Sequence, residues 1–183
     1  MIKILALGDS LTAGYGLEPE SSFAARLHQR LLDEGNSVQV INGGFSGDTT
    51  SDGLTRIKDL LTHMPELVIV QFGANDLYAG LPAGQVQTNL ETMIDMCRNK
   101  DAEVILAGIL CLVDQADAHS QDIHQAFEQA ALSRNVRFLP DFMPGIPGNP
   151  GLTLPDGIHP NRAGVDAMVE NILPLVRSML SDL

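Results

Sequence analysis

Short apolar runs alternate with amphipathic stripes of helical period five times along this chain, and that alternation limits the fold more than any other feature. Residues 2–7 form the first run, which Gly8 breaks. Phe23, Ala24, Leu27 and Leu31 then share one helical face after Pro19, with Ser21 or Ser22 as cap and Gly35 as stop. Residues 38–41 precede a stripe of Leu54, Ile57, Leu60, Leu61 and Met64, and residues 67–72 precede Val86, Leu90, Met93, Ile94 and Cys97. Residues 104–110 lead to Ile123, Phe127, Ala130 and Ala131, and residues 136–139 to Val165, Met168, Val169, Ile172, Leu173 and Val176. Apolar strands need helices on both faces, and parallel neighbours need right-handed crossovers. The expected fold is α/β: a three-layer sandwich with a five-stranded parallel sheet in flavodoxin-like order 2-1-3-4-5. At 183 residues, against ~150 per domain, the chain reads as a single domain over 1–183.

Charge narrows the partners. Eleven Lys and Arg against 23 Asp and Glu leave a formal net charge of −12, so neither nucleic acid nor an anionic membrane surface is expected to bind. No apolar run reaches the ~18 residues of a membrane span, and the N-terminal run falls short of the ~7 to 15 residues of a signal-peptide core. Stable membrane insertion is not expected, and the chain as written reads as cytoplasmic. A periplasmic or secreted mature form carrying a start methionine would look the same. Oligomeric state leaves no mark, with a monomer slightly favoured. Cys97 and Cys111 fall near opposite ends of a strand, on the order of 20 Å apart at ~3.3 Å per residue, whereas a disulfide needs ~7 Å. Two independent thiols are expected. No metal or cofactor is expected either: zinc spacings and a Walker loop are missing, and Gly14-Tyr15-Gly16 lacks the third glycine of a dinucleotide fingerprint.

In sheets of this kind ligands bind beyond the carboxyl ends of the strands, and small polar residues collect in those loops. They read Gly8-Asp9-Ser10-Leu11 after the first strand, Asn42-Gly43-Gly44-Phe45-Ser46-Gly47-Asp48-Thr49 after the second and Gly73-Ala74-Asn75-Asp76 after the third. A long segment after the fifth ends in Asp156-Gly157-Ile158-His159-Pro160-Asn161. A serine becomes a nucleophile with a base to take its proton and a third group to orient that base. Ser10 follows the first strand at once. Asp156 lies three residues before His159, so one turn can hold carboxylate and imidazole together, and Pro160 suits the first position of the last helix. His28, His63 and His124 fall on or at the ends of helices, while His119 sits in the loop after the fourth strand near Asp114 and Asp117. The backbone N–H groups of Ser10 and Gly47 and the side-chain amide of Asn75 come from three strand ends and are candidates to hold an oxyanion. Each of these also has a plain reading, as a strand end with a cap, a loop glycine or an Asx-turn. Their joint occurrence at successive strand ends favours chemistry.

Those four blocks, in that order, resemble the SGNH (GDSL) hydrolases, and their spacing resembles the compact bacterial thioesterases, arylesterases and lysophospholipases. The resemblance runs from Ile4 to the last helix. It implies a serine esterase with Ser10 as nucleophile, His159 as general base and acid, Asp156 as its orienting partner, and Ser10, Gly47 and Asn75 as the oxyanion hole. Asp9 and Asp76 read as loop-bracing residues. The absence of a Gly-x-Ser-x-Gly elbow argues against the ordinary α/β-hydrolase arrangement.

One block departs from such relatives, which often carry a Pro- and Asn-rich stretch after the fourth strand; here it reads Leu110-Cys111-Leu112-Val113-Asp114-Gln115. Candidates for the substrate wall are Leu77, Tyr78, Leu81, Leu112, Met143 and Leu154. With Phe142, Ile146 and Leu152, the loop residues among them form either an acyl groove or ordinary core under a long loop. The expected substrates are small esters, neutral rather than anionic given the acidic charge, with short- to medium-chain acyl or aryl esters first and thioesters or lysophospholipids within the range. Two alternatives stand beside this: a carbohydrate O-acetylesterase of the same fold, and a non-catalytic flavodoxin-like binding module whose first loop cradles a phosphate. A receiver-type signalling domain fits less well, since Pro140 and Asp141 stand where it needs a lysine.

Overall fold

The structure, a computed structural model, describes residues 1–112, 114 and 116–183. Five strands, β1 (Ile2–Gly8), β2 (Val38–Gly44), β3 (Leu67–Gln71), β4 (Glu103–Ala107) and β5 (Arg137–Leu139), pair in parallel in the order β2-β1-β3-β4-β5. The helices are α1 (Ser10–Ala13), α2 (Phe23–Asp33), α3 (Thr50–Leu60), α4 (Ala74–Ala79), α5 (Ala83–Arg98), α6 (Ala118–Arg134) and α7 (Arg162–Asp182). Successive strand residues point to opposite faces, so the sheet divides two cores. Ile4, Ala6, Leu67, Ile69, Ile105 and Ala107 pack with the apolar faces of α2 and α7. Leu5, Leu7, Val68, Val70, Val104 and Leu106 pack with those of α3, α5 and α6. This is the three-layer arrangement expected from periodicity.

Local chemistry fixes the ends. Ser22, not Ser21, caps α2, its Oγ accepting from the Ala25 N–H. Thr49 and Asp52 form a reciprocal capping box at the start of α3. Two expectations need correcting near the site. Asn42, Gly43 and Gly44 belong to β2 rather than to a loop, because they continue its register against Ala6, Leu7 and Gly8; pairing with a central strand outweighs their low strand propensity. A Cβ on Gly44 would lie 2.3 Å from the Ala13 nitrogen, so glycine lets α1 sit on this strand end. Pro160 does not open the last helix: Asn161 is its cap, accepting from the Gly164 N–H at 3.0 Å, and α7 begins at Arg162. Asn161 Nδ2 also donates to the Gly151 and Thr153 carbonyls, so one side chain ends the loop and starts the helix.

Cys97 is buried and Cys111 half-buried, and both are free. Burial pushes the Cys97 thiol up to about 12 and raises Cys111 as well, so neither is a thiolate at neutral pH. Among the described residues no helix is long and apolar enough to cross a membrane.

Candidate active site

The carboxyl end of the sheet brings Ser10, Asp156 and His159 together. Asp9 caps α1, its carboxylate accepting from the Leu11 N–H at 2.9 Å, so Ser10 stands at the first position of a four-residue helix. The plain reading of this block as a strand end with a cap therefore describes the device that presents the serine. Gly8 has no room for a side chain: a Cβ there would lie 2.2 Å from Thr12 Oγ1 and 2.5 Å from the Gln71 carbonyl.

Asp156 and His159 form a self-braced turn. One carboxylate oxygen accepts the N–H groups of Ile158 and His159, each at 2.9 Å, and the other lies 2.8 Å from His159 Nδ1. Those contacts, the Ile158 N–H foremost and then the His159 ring, hold the Asp156 carboxyl below the usual carboxylate range. The Leu154 N–H donates to the His159 carbonyl and the Asn161 N–H to the Leu152 carbonyl. His159 Nε2 then lies 3.1 Å from Ser10 Oγ, across 149 positions of sequence. The Tyr15 ring covers the imidazole at a centroid distance of 4.4 Å, a contact that the sequence does not announce.

Gly47 and Asn75 stand on the neighbouring strand ends. Gly47 adopts φ of +92°, a left-handed conformation that glycine takes without strain, in an exposed loop. Its N–H has no acceptor among the described residues. Asn75 belongs to α4, a helix absent from the loop reading of Gly73-Ala74-Asn75-Asp76, and its Nδ2 donates to the Asp48 carbonyl at 2.8 Å. One amide hydrogen is thereby used and the other remains to donate. Asp76 is buried and accepts both the Thr50 N–H and its hydroxyl, which ties α4 to the start of α3.

The apolar wall differs from the sequence reading. Met143, Phe142 and Ile146 are fully buried in the core against α2 and α7; with no surface they cannot touch substrate, and Met143 is withdrawn from the wall. Leu77 and Leu81 pack against the opposite core, and Leu112 and Leu152 against the first. Tyr78 is exposed and Leu154 half-buried, and these remain at the surface. Val113 and Gln115 of the departing block lie outside the described residues. His119 is on the first turn of α6, not in a loop, and Asp117 spends its carboxylate capping that helix, so it does not orient the ring. A cavity of about 530 Å³ opens at the opposite end of the sheet, lined by Glu103, Val104, Asn135, Val136, Arg137, Met179, Asp182 and Leu183. It holds no serine, cysteine or histidine, so volume does not mark the chemistry here.

Sequence comparison decides the family: the model described as GDSL-like Lipase/Acylhydrolase matches residues 6–167. The chain belongs to that family. It is 33% identical over 178 residues to Esterase TesA of Pseudomonas aeruginosa, covering 97% of this chain and 89% of that one. It is 36% identical over 159 residues to an arylesterase of Vibrio mimicus, covering 86% and 80%. The crystal structure of the psychrotrophic esterase EstA from Pseudoalteromonas sp., inhibited by monoethylphosphonate, superposes with a TM-score of 0.91 at 28% identity, covering 99% of this chain and all of that one. Membership in the GDSL family makes this chain a serine ester hydrolase, and the binding-module and receiver readings fall away.

Asp9 adds a titrating group beside the GDSL serine. It is fully buried, and among the described residues its Oδ2 and the Gln71 Nε2 have no hydrogen-bond partner. Burial is the main cause that pushes its carboxyl up to about 7; the Leu11 N–H and then the nearby Gln71 side chain oppose this, and the Asp76 and Asp48 charges add to it. A folded-state value above the unfolded one means that the native state holds the proton more tightly. The stability this contributes is complete below about pH 4 and is lost as the pH rises through 7, on the order of 4 kcal/mol in all. Asp9→Asn is expected to flatten this dependence. Thermal midpoints at pH 5 and pH 8 should separate less in the variant than in the parent, and parallel behaviour would rule the buried acid out as the cause.

Proposed function

We propose that the chain hydrolyses carboxylic esters through an acyl-enzyme on Ser10. The observation that carries this reading is the unbroken contact chain from Asp156 through His159 to Ser10 Oγ. Ser10 Oγ attacks the acyl carbon while His159 Nε2 takes its proton, and Asp156 holds the ring and offsets the imidazolium charge. The carbonyl π electrons move onto oxygen, which receives hydrogen bonds from the N–H groups of Ser10 and Gly47 and from Asn75 Nδ2. Collapse of this intermediate breaks the bond to the leaving group, which takes the proton from His159. Water then attacks the acyl-serine, His159 accepts a proton from it and returns one to Ser10, and the carboxylic acid departs.

Small neutral esters with short- to medium-chain acyl or aryl groups fit this site best, with thioesters and lysophospholipids as the wider range. The net charge of −12 disfavours approach of polyanionic substrates. The exposed Tyr15 ring, which follows α1 and covers His159, favours apolar groups beside Ser10. The reading is tested with an alkylphosphonate ester carrying a chromogenic leaving group. One phosphonyl group should add per chain, on Ser10 by peptide mass, with loss of turnover on p-nitrophenyl esters from acetyl to long acyl. Inactivation with the adduct elsewhere, or full turnover after labelling of Ser10, would overturn it.

A further inference from the structure

Three donors that act on one oxygen must keep their places to a few tenths of an ångström, yet the loop that carries Gly47 has little packing of its own. Phe45 is 62% exposed, Ser46 and Gly47 are exposed, and nothing lies within 4 Å of where a Gly47 Cβ would be. The first anchored residue after them is Asp48, which is buried.

Its anchor is Arg56, on the second turn of α3. Arg56 Nε donates to Asp48 Oδ2 at 2.6 Å, and Nη2 lies 2.5 Å from the same oxygen. Nη1 donates to the Gly43 carbonyl at 3.1 Å, and Nη2 reaches the Gly8 carbonyl at 3.4 Å. The guanidinium carbon lies 5.8 Å from the centroid of the Phe45 ring. One planar group therefore touches the end of β1 two residues before Ser10, the end of β2, and both sides of Gly47.

Asn75 completes the connection, because its Nδ2 donates to the carbonyl of Asp48, the residue whose carboxylate Arg56 grips. Moving Asp48 moves Gly47 by a shared peptide bond and Asn75 by a hydrogen bond. We propose that Arg56 is the positioning residue of the oxyanion hole: it sets Gly47, Asn75 and the β1 end that presents Ser10 in register, without touching substrate. This rests on the assignment of those three donors above. Arg56 contributes a rigid fork of five donors, which a lysine ammonium does not reproduce.

The test is a kinetic double-mutant cycle on a p-nitrophenyl ester, with Arg56→Ala, Arg56→Lys, Asn75→Ala and Arg56→Ala/Asn75→Ala, and with Ser10→Ala alongside. Arg56→Ala and Arg56→Lys should each lower kcat by ~10- to 100-fold, the scale of a donor displaced by about 1 Å, with KM little changed. Asn75→Ala should lower kcat by ~10² to 10³. Because Arg56 acts in part through Asn75, the double variant should fall short of the product of the two single losses. Guanidinium ion, added far below denaturing concentration, should recover part of the Arg56→Ala turnover and none of the Asn75→Ala turnover. Losses that multiply, a change confined to KM, or Arg56→Lys at parental kcat would overturn the proposal. Arg56→Lys, which keeps the charge, serves if Arg56→Ala does not fold. Turnover by Ser10→Ala would instead overturn the catalytic reading, a separate outcome.

Discussion

Ser10→Ala is expected to lower kcat on p-nitrophenyl esters by a factor on the order of 10⁴ to 10⁶ while the fold stays intact. The Ser10 hydroxyl makes one side-chain contact among the described residues, the 3.1 Å approach to His159 Nε2. It supports no packing, since the α1 cap belongs to Asp9 and the helix is stopped by Gly14. Removing one oxygen therefore takes away the nucleophile and leaves the thermal midpoint close to that of the parent. Any residual rate would come from the oxyanion donors acting on water, and its size measures them. A variant that keeps more than a tenth of the parental kcat would place the nucleophile elsewhere.

Asp156→Asn is expected to cost about 10⁴ in kcat. The carboxylate oxygen that accepts the Ile158 and His159 N–H groups can be replaced by an amide oxygen, so the turn should survive. The other oxygen cannot be replaced in kind. It accepts from His159 Nδ1 at 2.8 Å, and an amide nitrogen in its place donates a hydrogen instead. The imidazole then turns its unprotonated nitrogen toward the new amide and carries its proton on Nε2, where it can no longer take one from Ser10. Asp156→Ala, which lacks even the capping oxygen, should lose turnover and also loosen the loop. The comparison of melting curves separates the two effects: a large drop in midpoint for Asp156→Asn would mean that the loss of rate reflects the fold and not the tautomer.

The strands and their covering helices were legible in the sequence because both signals are local and periodic, while the order 2-1-3-4-5 came from the usual winding of such parallel sheets. A strand covered on both faces is apolar throughout, as Leu67–Gln71 shows up to its last residue, and a helix that covers it repeats its apolar residues every three or four positions. Ser10, Asp156 and His159 were legible for a related reason: each sits next to a strand end or inside a four-residue turn. What the sequence hid is mostly long-range. Arg56 looks like any surface arginine on an amphipathic helix until β1 and β2 are paired and the carbonyls of Gly8 and Gly43 face it. Met143 looks like a groove residue because apolar side chains in a long loop carry no periodicity that tells inside from outside. The extension of β2 through Gly43 and Gly44 and the helix at Ala74–Ala79 were hidden because their residue types favour turns locally, while the packing of neighbours decides otherwise.

The two halves of the site come from nearly opposite ends of the chain, and this has a consequence for the protein as it is made. Ser10 and its cap leave a ribosome 149 residues ahead of His159, and the sheet can assemble behind them as each crossover helix arrives. Asp156 and His159 emerge only after β5, near the end of the loop that leads to α7. Between those two points a nascent chain carries Ser10 without an imidazole beside it. On the proposed mechanism, hydrolysis waits until the loop after β5 closes over the end of β1, so the order of synthesis keeps an unfinished chain silent.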